Sequence, residues 1–292
     1  MSKRTIGIIQ MVVCAALWSI AGVIIQLIKC DNPLIIAGVR SFFAGLCALI
    51  YIFIRREKLI FNKKVLGASL FTCITFLAFV SANKMTAPAN AIVLQYTQPV
   101  FILLLSALFL QKKMRGRDIA VSLITLFGVT LFFIDSISGK AGQMRGNVVA
   151  IAAGLSIAVM FIIMGEAKEK ERLSAMFLGH MMTSFVGCLA WIISPEKIGM
   201  TDFFWMAILG VFQLGISYIL FCLAVGKCTP FACSVIGAIE PVLNPVLVML
   251  FGFGLPGRYA LFGGIIVILG ITSWSIYDNK KAGEDNKALA VK

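Results

Sequence analysis

Glu240 has the clearest chemical potential of any residue in this sequence, because of where it stands. It lies inside an apolar stretch running from Pro230 to Gly252 (PFACSVIGAIEPVLNPVLVMLFG), with Pro241 and Pro245 beside it. About twenty such residues span the hydrocarbon core of a bilayer as a helix. Glu240 is about ten residues in, or ~15 Å along the axis, which places it near the midplane. A carboxylate at that depth is costly unless it is protonated, paired or wetted. Each proline withholds a backbone donor and clashes with the carbonyl one turn back. A polar group and an interrupted helix at one depth point to a cavity rather than a packed core.

Residues three and four apart share a helix face. Glu240 shares its face with Cys233, Gly237 and Asn244. A shift of 142 residues carries a second proline-containing stretch, PANAIVLQYTQPVFILLLSALFL, onto the first, with Pro88 on Pro230, Pro99 on Pro241, Val100 on Val242 and Gly128 on Gly270. Gln98 then falls on Glu240, on a face shared with Ala91, Gln95 and Ile102. Two readings follow: polar walls lining a midplane cavity, or side chains that satisfy carbonyls freed by the prolines. Intramembrane ionisable groups default to function, which favours the first. Arg40 is the other strong charge deep in an apolar segment, about seven residues or ~10 Å from the outer surface. It is the candidate charge partner of Glu240, a structural ion pair being at least as well supported as ligand contact. His180 stands alone, and a packing role outweighs a proton relay. Trp18, Tyr96, Tyr218 and Trp274 offer apolar faces with one polar group each, and Gln213 adds an amide, a mixture that suits amphipathic ligands. Trp18 is about fourteen residues into its helix, too deep for the interfacial belt where Trp205 and Tyr277 sit. The candidate binding set is therefore Trp18, Gln95, Tyr96, Gln98, Gln213, Tyr218, Glu240 and Asn244. Protons are the candidate coupling ion, at Glu240. No metal-ligand or cofactor pattern occurs.

The elements that must position these residues are transmembrane helices. With 60% hydrophobic and 13% charged residues, the chain is not a soluble domain. Ten apolar segments stand at about 5–28, 33–54, 64–83, 88–110, 117–135, 146–166, 173–194, 202–225, 230–252 and 258–277, with short connections. The first follows Lys3 and Arg4 with no small-residue cleavage site, and reads as a retained helix. The formal charge of +13 lies in runs between the segments, so a nucleic-acid partner is excluded. Nineteen lysines and arginines fall on the amino-terminal side and six opposite, with Arg40 inside. By the positive-inside rule both termini are cytoplasmic, in a bacterial plasma membrane. The eight cysteines form no C-x-x-C pair and read as packing residues. The shift of 142 divides the chain into repeats at 1–138 and 139–278, leaving a polar tail, 279–292, expected to be disordered. Five helices per repeat is an odd number, so the second repeat runs through the membrane upside down. The expected fold is an all-α polytopic membrane protein of ten transmembrane helices in two inverted five-helix repeats. In that plan the site lies between the halves, lined by helices one, three, four, six, eight and nine.

The block LQYTQPVFILLLSALFL followed by a basic loop, its counterpart IEPVLNPVLVML, the ALW at Ala16 to Trp18 and the spacing of Pro33 and Arg40 resemble the EamA-type exporters of the drug/metabolite transporter superfamily. The resemblance covers nearly the whole chain. It implies ten helices in two inverted bundles, a central substrate cavity and metabolite efflux. Departures stand at Ser19, where a glycine is usual, and at Gln111–Lys112 and Leu255–Pro256, where an acidic residue is usual. The expected function is a secondary transporter that exports amino acids or similar small amphipathic metabolites by alternating access. An intramembrane enzyme would need a nucleophile and base, and no G-x-S-x-G or H-E-x-x-H accompanies the single His. A channel or receptor would need a charge ring or carbonyl filter, and neither is visible. No Walker motif occurs. The oligomeric state, monomer or homodimer, is left open.

Overall fold

The computed structural model describes residues 2–86, 88–111, 115–134 and 143–252, and beyond these residues 259, 262–263, 265–266, 269–270, 272–274 and 276–277. Lys112 and Lys113, the connection holding Ser138 and Lys140, Leu255–Pro256 and the tail 279–292 lie outside the described residues. The described residues form α1 Lys3–Trp18, α2 Ala21–Leu27, α3 Pro33–Ile54, α4 Lys63–Met85, α5 Pro88–Gln95, α6 Gln98–Leu110, α7 Gly116–Ile134, α8 Gln143–Glu166 and α9 Glu169–Ile193. Then follow α10 Met200–Ile208, a π-helical stretch Leu209–Ile216, α11 Ser217–Ala224, α12 Pro230–Gly237 and α13 Glu240–Leu250. No strand occurs among them.

Local chemistry sets many of these starts. Asn32, Asn62 and Thr229 accept the Leu34, Val65 and Ala232 amides, capping α3, α4 and α12. Pro33 and Pro230 open α3 and α12 where a missing N–H costs nothing. Among the described residues, six helical runs are long and apolar enough to cross a membrane: Lys3–Ile25, Pro33–Ile54, Lys63–Met85, Met144–Glu166, Glu169–Ile193 and Met200–Ala224. The described residues are thus all-helical, with several helices of the length and apolarity of a multi-pass membrane protein.

Several apolar segments are not single α-helices. The fourth breaks at Tyr96–Thr97 and the ninth at Ala238–Ile239, each just before a proline in the first turn of the next helix. Pro99 and Pro241 have no N–H to offer the carbonyls of Gln95 and Gly237 four residues back. The first breaks at Ser19–Ile20, where the Ser19 hydroxyl donates to the Ala15 carbonyl at 2.8 Å, a contact that bends helices. In the eighth, the Ser217 hydroxyl donates to the Gln213 carbonyl at the end of the π stretch.

The outside is apolar and much of the polarity is inside. Phe53, Phe109, Ile193 and Met200 are more than three-quarters exposed, as lipid-facing residues are. Arg40, Ser41, Thr72, Gln98, His180 and Glu240 are buried. Helices α3 and α9 cross where Gly38 meets Gly187, so closely that a Cβ on Gly38 would lie 2.6 Å from the Gly187 Cα. Such small-residue contacts hold helices together in lipid.

Candidate functional site

The broken helices and the π stretch converge on one buried cavity. Its walls include Trp18, Gln95, Tyr96, Gln98, Gln213, Tyr218, Glu240 and Arg40. They come from the first, fourth, eighth and ninth apolar segments, with Arg40 from the second. Asn244, one turn beyond Glu240, is buried but does not line the cavity. Its free volume is about 20 Å³, room for one or two waters rather than a metabolite.

Tyr96 sits at the break of the fourth segment and reaches the break of the ninth. Its Oη lies 2.6 Å from the Gly237 carbonyl oxygen and 2.7 Å from Glu240 Oε2. The Gly237 carbonyl is the one that Pro241 leaves without a donor, so Tyr96, not Glu240 or Gln98, satisfies it. A phenol has one proton. Either the two acceptors share the one phenolic proton in a three-centre bond, or Tyr96 donates to Gly237 while a protonated Glu240 donates to Tyr96.

Arg40 does not pair with Glu240, no nitrogen and oxygen of the two lying within 4.0 Å. Its Nη1 reaches Gln213 Oε1 at 3.5 Å, and its guanidinium carbon lies 5.8 Å from the Phe79 ring centre. The expected ion pair is replaced by two separate polar contacts, Arg40 with Gln213 and Glu240 with Tyr96. Trp18 Nε1, Arg40 Nε, Gln95 Oε1 and Gln98 Oε1 are buried without a hydrogen-bond partner in the protein. Buried polar atoms rarely stay unpaired, so these donors and acceptors are set for a ligand or water. The aromatic walls are packed against one another. Trp18 is 5.1 Å from Tyr218, and Phe76 meets Tyr218 edge-on at 5.0 Å. His180 stacks on Phe76 at 4.8 Å, outside the cavity.

Thr75, Phe76, Phe79, Ile157 and Leu214 also line the cavity and were not singled out by the sequence. A usable signal existed for two of them: the shift of 142 carries Phe76 onto Tyr218 and Thr75 onto Ser217.

Two stretches, residues 5–134 and 144–275, match the EamA-like transporter family. The chain belongs to this family. An "Uncharacterized transporter" of Archaeoglobus fulgidus is 24% identical over 72% of this chain and 75% of its own length. A "Probable amino-acid metabolite efflux pump" of Escherichia coli is 28% identical, over 53% of this chain and 51% of its own. An "Aromatic amino acid exporter YddG" of Ancylobacter novellus is 24% identical over 65% of this chain and 68% of its own. A solved crystal structure superposes with a TM-score of 0.81 at 17% identity, covering 95% of this chain and 99% of that one, and shares the fold.

Proposed function

We propose that this EamA-like protein is a secondary transporter that exports amino acids or similar small amphipathic metabolites by alternating access. The observation that carries the reading is the cavity itself. Unpaired donors and acceptors stand beside aromatic faces, between helices broken at the same depth. A zwitterion with an apolar side chain uses both kinds of wall. The names of two relatives, an amino-acid metabolite efflux pump and an aromatic amino acid exporter, support the same substrate class.

The architecture in this reading is ten helices in two inverted repeats, 1–138 and 139–278. Packing supports it at residue level. Gly187 meets Gly38 while Gly45 meets His180 and Met181. The shift of 142 carries Gly45 onto Gly187 and Gly38 onto His180, so each contact is the image of the other. Gly7 packs on Lys227 and Cys228, and Gly146, three residues before the image of Gly7, packs on their images, Met85 and Thr86. Phe76 and Tyr218 are images of one another and touch, as residues on the axis between two halves must. In this reading the site lies at the repeat interface.

Glu240 is the coupling residue in this account. With a proton it completes the chain through Tyr96 to Gly237. Without one, Tyr96 must divide its single proton between two acceptors, so proton release loosens the junction of α12 and α13. Orientation follows the basic residues, with both termini cytoplasmic in a bacterial plasma membrane. A cysteine at Lys197 is then labelled from outside and one at Lys170 from inside. The test of function is uptake of a substrate panel into proteoliposomes with an imposed pH gradient. Transport of amino acids that responds to the gradient supports the reading. Movement of no small amphipathic solute overturns it.

A further inference from the structure

The connections at the two ends of the bundle are held by specific bonds. At one end, the chain between α2 and α3 is gripped by the chain between α9 and α10. Glu196 accepts the Asp31 amide at 2.7 Å and the Asn32 amide at 3.0 Å, and the Cys30 thiol lies 3.4 Å from it. Asp202, at the start of α10, accepts the Lys29 amide at 3.0 Å. Lys84, from the end of α4, donates to the Cys30 carbonyl at 2.8 Å.

At the other end, the chain between α3 and α4 is gripped by the start of α9. Ser174 Oγ accepts the Ile60 amide at 3.0 Å, and Asn62 Nδ2 donates to Glu171 at 2.7 Å. Lys170 meets Glu57 at 2.6 Å, and Arg55 meets Glu169 at 3.5 Å. Arg172 donates to the Ala167 carbonyl, just past α8, at 2.7 Å.

Exchanging the two halves turns one end into the other. The connection of segments one and two against that of seven and eight becomes that of six and seven against two and three. The exchange extends to the cations. Lys84, which holds the Cys30 carbonyl, maps onto Gly226, and a side chain there would collide with the Arg172 guanidinium. Arg172 occupies that space and holds the Ala167 carbonyl instead.

We propose that these two clasps are the gates of the transport path, one centred on Glu196 and the other on Glu57, Asn62 and the first turn of α9. The inference rests on the transporter reading above and adds which bonds must break, and at which end, for the cavity to open. Both clasps are closed in this conformation, in keeping with a cavity too small for a metabolite. Glu196 is held below the usual carboxylate range, first by the Asp31 amide, with the Asn32 amide, the Cys30 thiol and nearby Lys84 adding to the effect.

The test needs no substrate. Leu214→Cys places a thiol in the cavity, in protein whose native cysteines are replaced by serine. Its reaction with a membrane-impermeant maleimide is timed from each side of sealed vesicles. Glu196→Ala is expected to raise the rate from the Glu196 end about tenfold, the effect of losing charge-assisted hydrogen bonds, and leave the other end unchanged. Glu57→Ala with Glu171→Ala should do the converse. Should Glu196→Ala fail to fold, Glu196→Cys with Cys30 retained tests the same gate by locking it. An oxidised link between Cys30 and the introduced thiol should hold that end at its slow rate, and reduction should release it. Unchanged rates in the variants, or equal rises at both ends, would overturn the gates. A protein with working gates that moves no solute would sink the transporter reading alone.

Discussion

At the residue scale the site turns on one hydroxyl. Tyr96 joins the two helix breaks because Pro241 deprives the Gly237 carbonyl of its donor, and the phenol takes that place at 2.6 Å. Tyr96→Phe leaves this buried carbonyl unpaired and should cost roughly 1–3 kcal/mol, read as a lower denaturation midpoint in detergent. Glu240 and Gln98 were legible in the sequence because a polar residue beside a proline in an apolar run has few bland explanations. Their partner was not, since Tyr96 and Gly237 are 141 residues apart and only the fold brings them together. The expected Arg40–Glu240 pair does not form for the same reason: Tyr96 occupies one and Gln213 the other. A second residue-scale prediction concerns pH at the Glu196 clasp. A lowered carboxylate contributes its bonds above the ordinary carboxylate range and loses them as pH falls through its own, lower value. The groups facing Glu196 are Asp31, Lys84 and Cys30, whose thiol, pushed up to about 11 chiefly by burial, stays neutral. Cavity accessibility from this end should therefore be flat above about pH 5. A step at neutral pH would contradict it.

At the element scale, helices are interrupted around the buried cavity. The breaks in the fourth and ninth segments were readable from Pro99 and Pro241, because the missing donor is a property of the residue itself. The π stretch Leu209–Ile216 was not readable. Nothing in LGVFQLGI marks the wider turn, which is settled by tertiary contact: Gly210 packs directly on the Arg40 carbonyl and on Phe43. That seam sets where Gln213 and Arg40 meet. Gly210→Ala puts a methyl group into backbone that cannot give way. It should cost about 1–3 kcal/mol, the usual penalty for overpacking, and lower transport by separating Arg40 from Gln213. Wild-type stability with wild-type transport would show that the seam does not matter.

At the scale of the whole molecule, the repeat was legible because proline and glycine positions survive the shift of 142 residues. The crossings that build the bundle were not legible. Gly38 against Gly187 looks like any small residue in an apolar run until the helices are placed. In the proposed two-repeat architecture, the aromatic pair Phe76 and Tyr218 stands between the halves and the two clasps are images of one another. In the proposed mechanism Trp18, Gln98 and Glu240 hold the transported solute, with Glu240 carrying the coupling proton. The most direct measurement is amino-acid exchange and pH-driven transport in proteoliposomes, on equal amounts of folded wild type, Gln98→Ala and Glu240→Gln. Weaker substrate binding is expected in Gln98→Ala. In Glu240→Gln exchange should persist while the response to a pH gradient disappears, since glutamine keeps the shape but cannot titrate. Wild-type rates and pH dependence in both variants would place the substrate site elsewhere.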